Sequence, residues 1–235
     1  MSQEVITVPE IPVYVVQRAS FRSSALMNDQ DYLNYLTFLS RCLRQHQVLL
    51  HAYCLFDNQV HLLMTPRQHD GVAKVVQQVS RQYKHYLRTH YRRRGDVWQS
   101  RYTFSMIQAD THLLAICFFI EKQPIDRGVA TLPEYYRWSS YRWHVWGKKN
   151  SLITDHAVYE ALGVAAGQRQ HRYRDRFKLP IPSELSSEIR TSLTLGQPLG
   201  GEAFRREVAR RLTAIAGNKT SRPFLRLIKK HENHE

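Results

Sequence analysis

Hydrophobic positions along the chain switch between a period of two and a period of 3.6, and the switches mark its elements. The Val-rich stretch "IPVYVVQRAS" at 11–20 predicts a strand. From position 28 the period lengthens. Tyr32, Leu36, Leu39 and Leu43 share one face of a helix that Asn28 or Asp29 can cap and that runs to about His46. "VLLHAYCLF" (48–56) and "VHLLMTP" (60–66) predict a hairpin around a tight turn at Asp57-Asn58. A second helix over 72–90 sets Val72, Val75, Val76, Val79 and Tyr83 toward a core. "RYTFSMIQ" (101–108) predicts a fourth strand. A third helix follows at 110–124, with Asp110 as its cap and Pro124 as its stop. The order strand–helix–strand–strand–helix–strand, then helix, predicts an α+β fold: a ferredoxin-like antiparallel sheet with helices on one face.

The composition changes after Asn150, which divides the chain into a domain at 1–150 and a basic, helical C-terminal extension at 151–235. A short helix at 154–163 ends at Gly163, and the basic run "QRQHRYRDRFK" (168–178) precedes the Pro-punctuated break "LPIPSEL". Helices over 184–195 and 202–216 flank "GQPLGG". The last of these carries Phe204, Val208 and Leu212 on one face and Arg205, Arg206, Arg210 and Arg211 elsewhere. Two roles are open to this pair of helices: contact with DNA, or packing back onto the sheet.

Composition narrows the class. At 235 residues and 43% apolar content the chain can bury one good core. No apolar run approaches the roughly 18 residues of a transmembrane helix, and the first ten residues lack the basic and apolar regions of a secretory signal. Cys42, Cys54 and Cys117 are widely spaced in apolar surroundings and read as reduced core thiols. The expectation is a cytoplasmic protein with no membrane partner. Thirty-four Lys and Arg against 20 Asp and Glu leave a net charge of +14, which favours an anionic partner, nucleic acid first.

Charge and chemistry concentrate in a few places. Arg81, Lys84, Arg88 and Arg92 recur at spacings of three and four, Arg93 and Arg94 extend the run, and no acidic residue interrupts 81–94. A solvated helix face normally mixes signs, so this stripe predicts phosphate contacts. In "YYRWSSYRWHVW" (135–146) aromatics and arginines suit stacking on unpaired bases, while Trp138 and Tyr141 equally suit anchoring to the sheet. On the hairpin, positions 59 and 61 share one strand face. Two histidines there could hold a divalent ion that polarises a phosphate. Only His61 is an imidazole; Gln59 offers a neutral oxygen, acceptable to Mg²⁺ or Mn²⁺ and weaker toward softer metals. A lone strand histidine also has a purely structural reading. Most of the twelve histidines are scattered, and His231 and His234 of the tail "HENHE" are weak candidates.

The segments "HAYCLFDNQVHLLMTP", "RQYKHYLRTHYRRRGDVWQSRY", "FFIEKQPIDRGVATLPEYYRWSSYR" and "DRFKLPIP…GQPLGGEAF" follow one another with an order and spacing that resemble the REP-associated tyrosine transposases. These are HUH single-strand transposases of insertion sequences, and the resemblance runs from about Pro12 to Pro223. It implies binding to a hairpin or palindromic DNA end and cutting of a neighbouring single strand. A His-hydrophobic-His pair holds Mg²⁺ or Mn²⁺ against the scissile phosphate, and a helix tyrosine attacks to leave a 5′-phosphotyrosine. Carried over by position, the metal pair falls on Gln59 and His61. The nucleophile helix, commonly Tyr-Ile-Glu-x-Asn-Pro, falls on "FIEKQP", which puts Phe119 at the nucleophile and Gln123 at a third ligand. Arg101 and Tyr102 fall in the segment near the substrate, beside Trp98.

Both departures strike at chemistry. Gln59 weakens a ligand, so metal binding at Gln59, His61 and Gln123 should be weak. Phe119 has no oxygen with which to form a phosphotyrosine. The expectation is therefore a transposase-like protein that binds partly single-stranded hairpin DNA without cleaving it, as a domesticated regulator; a homodimer is left open. The alternative is an active transposase or nickase working through an altered site.

Overall fold

In the computed structural model, which describes residues 5–20 and 24–217, four strands form one antiparallel sheet: β1 (Val13–Arg18), β2 (Val48–Leu55), β3 (Gln59–Pro66) and β4 (Thr103–Met106). Their order is β2-β3-β1-β4. α1 (Asp29–Gln45) joins β1 to β2 and α2 (Gly71–Tyr91) joins β3 to β4, which is the ferredoxin-like connectivity that the pattern predicts. Asn28 is the cap of α1. Its side chain accepts the Gln30 and Asp31 backbone N–H groups, and the Asp31 carboxylate accepts the N–H of Asn28 in return. That buried carboxylate also accepts the hydroxyls of Tyr86 and Tyr91 at 2.8 and 2.9 Å, so one helix cap latches α1 to α2.

Val13 and Val15 of β1 face a core shared with α1 and α2, while Tyr14 and Val16 face a second core. The expected layer on one face is present, and a further helical layer covers the other. It consists of α3 (Ala109–Asp126), α4 (Tyr141–Trp146), α5 (Ala157–Glu160), α6 (Ala166–Lys178) and α7 (Ser183–Leu195). The reason lies in the strands. Every residue of β3 and all but one of β2 are buried, so both sheet faces require cover. α8 (Glu202–Ala216) places Val208, Phe204 and Leu212 against the first core, and Arg211 donates to the Pro9 carbonyl at 2.9 Å. Ile153 bridges to Leu50 and Leu199 to Ile107, so the residues beyond 150 help to complete both cores. The last two helices pack back onto the sheet.

Several boundaries differ from the pattern. α1 buries Tyr35 fully, and Tyr32 and Leu36 only partly. The helix expected at 154–163 is the single turn α5, capped by His156, and the basic run after it is the helix α6. Two of its arginines serve the fold: Arg169 and Arg172 donate to carbonyl oxygens of residues 162–164. Trp98, Trp138 and Tyr141 are core anchors. α3 begins after Gln108, with Asp110 inside its first turn, and it continues through Pro124 to Asp126. Pro124 removes one N–H from the last full turn, but the carbonyls of Gln123, Pro124 and Ile125 are all taken up, by Arg127, Val129 and Gly128 at 2.8–3.0 Å. That extra half turn carries Arg127 to the end of the helix. No described helix is long and apolar enough to cross a membrane.

Candidate functional site

Gln59 and His61 sit two apart on β3 and face the second core, where α3 crosses with Phe119 and Gln123 one turn apart; all four are buried. The rotation of α3 is fixed by Glu121, on its opposite side. This fully buried carboxylate accepts Ser140 Oγ at 2.5 Å, His144 Nδ1 at 2.6 Å and Tyr173 OH at 2.8 Å. Ser140 in turn accepts the backbone N–H of Tyr53 on β2 at 3.0 Å. The "WSSY" segment is thus a clamp between α3 and the sheet, and it aims positions 119 and 123 at β3.

The three side chains proposed as metal ligands do converge, and they converge on a guanidinium. Arg127, the C-cap residue of α3, donates through one Nη to Gln59 Oε1 at 2.5 Å and to His61 Nε2 at 3.3 Å, and through Nε to Gln123 Oε1 at 3.4 Å. Its plane lies over the Phe56 ring, 4.2 Å from the centroid. Because arginine only donates, His61 Nε2 must carry the lone pair, and the proton sits on Nδ1, 2.6 Å from the Tyr14 hydroxyl. Burial, then the charges of Arg127, Arg18 and Arg190, hold this imidazole well below its ordinary pKa. Burial also lowers the pKa of Arg127 itself.

A divalent ion does not fit this arrangement. The donors are one imidazole and two amide oxygens, with no carboxylate, and among the described residues no group of three His, Cys, Asp or Glu side chains could hold a metal. A second cation would face a guanidinium already bonded to the same three acceptors. The expected weak Mg²⁺ or Mn²⁺ site at Gln59, His61 and Gln123 is replaced, in the geometry, by an arginine.

Among the described residues, one tyrosine ring packs against Phe119. Tyr14 is the tyrosine whose ring packs edge-on against Phe119, with centroids 6.3 Å apart, but it is fully buried and burial raises its hydroxyl far above the usual tyrosine pKa. Over the Phe119 ring stands the guanidinium of Arg190, from α7, 5.0 Å from the centroid.

The basic stripe is partly as expected. Arg81, Lys84 and Arg88 are exposed on α2, with Lys84 paired to Asp96 at 2.6 Å and Arg88 beside His85. The helix ends at Tyr91, and Arg92 is its left-handed cap, φ +50°, so Arg92, Arg93 and Arg94 leave the helix face and belong to the following loop. Arg93 donates to the Ser24 carbonyl. Arg101 is exposed, whereas Tyr102 packs at the edge of the first core with its hydroxyl buried and without a partner among the described residues. The Gln17–Ser80 hydrogen bond, 2.8 Å, sets the middle of α2 over the end of β1, and Trp98 pairs with Ala19 there. The stripe and the Arg127 site therefore flank the same end of the sheet.

Pattern reasoning missed Arg18, Arg127 and Arg190. A helix stopped at Pro124 leaves Arg127 in a loop, and Arg190 reaches Phe119 across 71 sequence positions; only the exposed Arg18 at the end of a Val-rich strand carried a local signal.

Residues 7–123 match the family model described as "Transposase IS200 like". None of the curated proteins compared matches the chain. Among solved structures, the chain is similar to a REP-associated tyrosine transposase bound to a REP hairpin, with TM-score 0.53 and 15% identity over 65% of this chain and 92% of that one. It is also similar to a candidate transposase from Deinococcus radiodurans R1, with TM-score 0.37 and 22% identity over 49% and 92%. A bacterial tRNA(His) guanylyltransferase-like protein in complex with GTP follows, with TM-score 0.39 and 11% identity over 62% and 76%. The ferredoxin-like sheet, the hairpin carrying His61 and the α3 crossing all lie within the matched region or at its edge. Through that region the chain belongs to the IS200-like transposase family.

Proposed function

We propose that this protein binds hairpin or palindromic, partly single-stranded DNA and does not cleave it, acting as a domesticated regulator descended from a transposase. The observation that carries the reading is Phe119. By the resemblance this is the position from which the family tyrosine attacks; its ring carries no oxygen, and the neighbouring Tyr14 is buried. Binding has better support. The similar transposase was solved on a REP hairpin, the net charge is +14, and Arg81, Arg88, Arg92, Arg94 and Arg101 are exposed around the end of the sheet. The test is a gel-shift titration of labelled DNA hairpins at increasing salt. Affinity should fall steeply as salt releases the phosphate contacts. Affinity for hairpins no greater than for an unstructured strand of the same length would refute the reading.

A further inference from the structure

Arg127 is bonded to three neutral acceptors and so keeps its full charge, and its second Nη has no partner among the described residues. Arg18 lies on β1 opposite Gln59 and Arg190 stands over the Phe119 ring, and the charges of both bear on His61 and Tyr14. None of these three arginines forms an ion pair among the described residues, and all three are exposed. Three unpaired guanidinium groups around a buried, neutral floor favour the entry of an anion. The floor orients Arg127 rigidly: Gln59, His61 and Gln123 hold one edge, and Phe56 supports its plane. Its second Nη keeps both of its N–H groups for the oxygens of an anion, the contact that phosphate takes from arginine.

We propose that Arg127 stands in for the divalent ion and, with Arg18 and Arg190, forms a metal-independent pocket for one backbone phosphodiester of the single strand that leaves the hairpin. This rests on the DNA-binding reading and adds to it how the unpaired strand is held. The chemistry is binding only: no bond is made or broken, and the strand is retained where a cleaving relative would cut it.

The experiment uses the full chain and two DNA probes, a blunt hairpin and the same hairpin with a single-stranded extension, each in EDTA and in Mn²⁺. The extension should raise affinity about tenfold or more, the worth of a charge-assisted phosphate contact, and equally in both media. Arg127→Gln should abolish that gain and leave the blunt hairpin unchanged, and Arg127→Lys should restore part of it. Arg88→Ala should weaken both probes alike. An extension effect that needs Mn²⁺, or that survives Arg127→Gln with thermal stability unchanged, would overturn the pocket. If neither probe binds, the DNA-binding reading itself fails.

Discussion

Glu121→Ala should destabilise the fold by about 4 kcal/mol, although the residue touches no proposed ligand. The carboxylate is fully buried and accepts three hydrogen bonds, from Ser140, His144 and Tyr173. After truncation Ser140 can turn to the Tyr53 carbonyl, already 3.3 Å away. His144 and Tyr173 then lose their buried acceptor, at roughly 1–3 kcal/mol each, and the vacated side-chain volume adds to the cost. For a chain of this size about 4 kcal/mol corresponds to a fall in Tm of roughly 8–16 °C. Glu121→Gln keeps the volume and one oxygen, and the Tyr173 hydroxyl can accept from the new amide, so its cost should be about 1–2 kcal/mol. Urea and thermal unfolding followed by circular dichroism measure both. Equal midpoints for Glu121→Ala and the unaltered protein, or equal losses for the two variants, would refute the view that this carboxylate pins α3.

Further expectations follow from the same geometry. His51, buried between the Thr154 carbonyl and the Thr65 hydroxyl, is held at a pKa of about 4 by burial, against 6.5 when exposed. The unfolded chain binds the extra proton between these values, so stability should be lost as pH falls from 6.5 toward 4, by up to about 3 kcal/mol; a pH series on His51→Asn that keeps the same acid slope would contradict this. Each of Arg81→Ala and Arg88→Ala should reduce the slope of log affinity against log salt by about 1, read from gel shifts. Phe119→Tyr or Gln59→His alone should yield no covalent product, because an attacking oxygen and a ligand set free of Arg127 are required together. Only the triple change Gln59→His, Phe119→Tyr, Arg127→Ala has the parts for a Mn²⁺-dependent adduct, visible on a denaturing gel.

What could be read from the sequence was what depends on local period. The hairpin, α2 with its five core-facing residues, and the Asn28 cap follow from spacing and side-chain chemistry. The second helical layer was implicit in β2, whose two faces both carry apolar residues, which no one-sided sheet can satisfy. Gln59, His61 and Gln123 meet in space at Arg127, and Phe119 packs against the neighbouring Tyr14. Arg127 could not be placed that way, because treating Pro124 as a stop ends α3 two residues too soon, and the chain instead satisfies the carbonyls near the proline with later backbone. Arg190 depends on the packing of α7, which no local pattern contains.

The most direct test of the central claim is to incubate the unaltered protein with 5′- and 3′-labelled hairpin DNA carrying single-stranded flanks, in Mn²⁺, and to resolve the products under denaturing conditions. The account predicts a retarded complex on native gels, intact strands on denaturing gels and no labelled protein band. A 5′-phosphotyrosine adduct on the unaltered chain would contradict it, and mapping that adduct would identify the tyrosine that attacks in place of position 119.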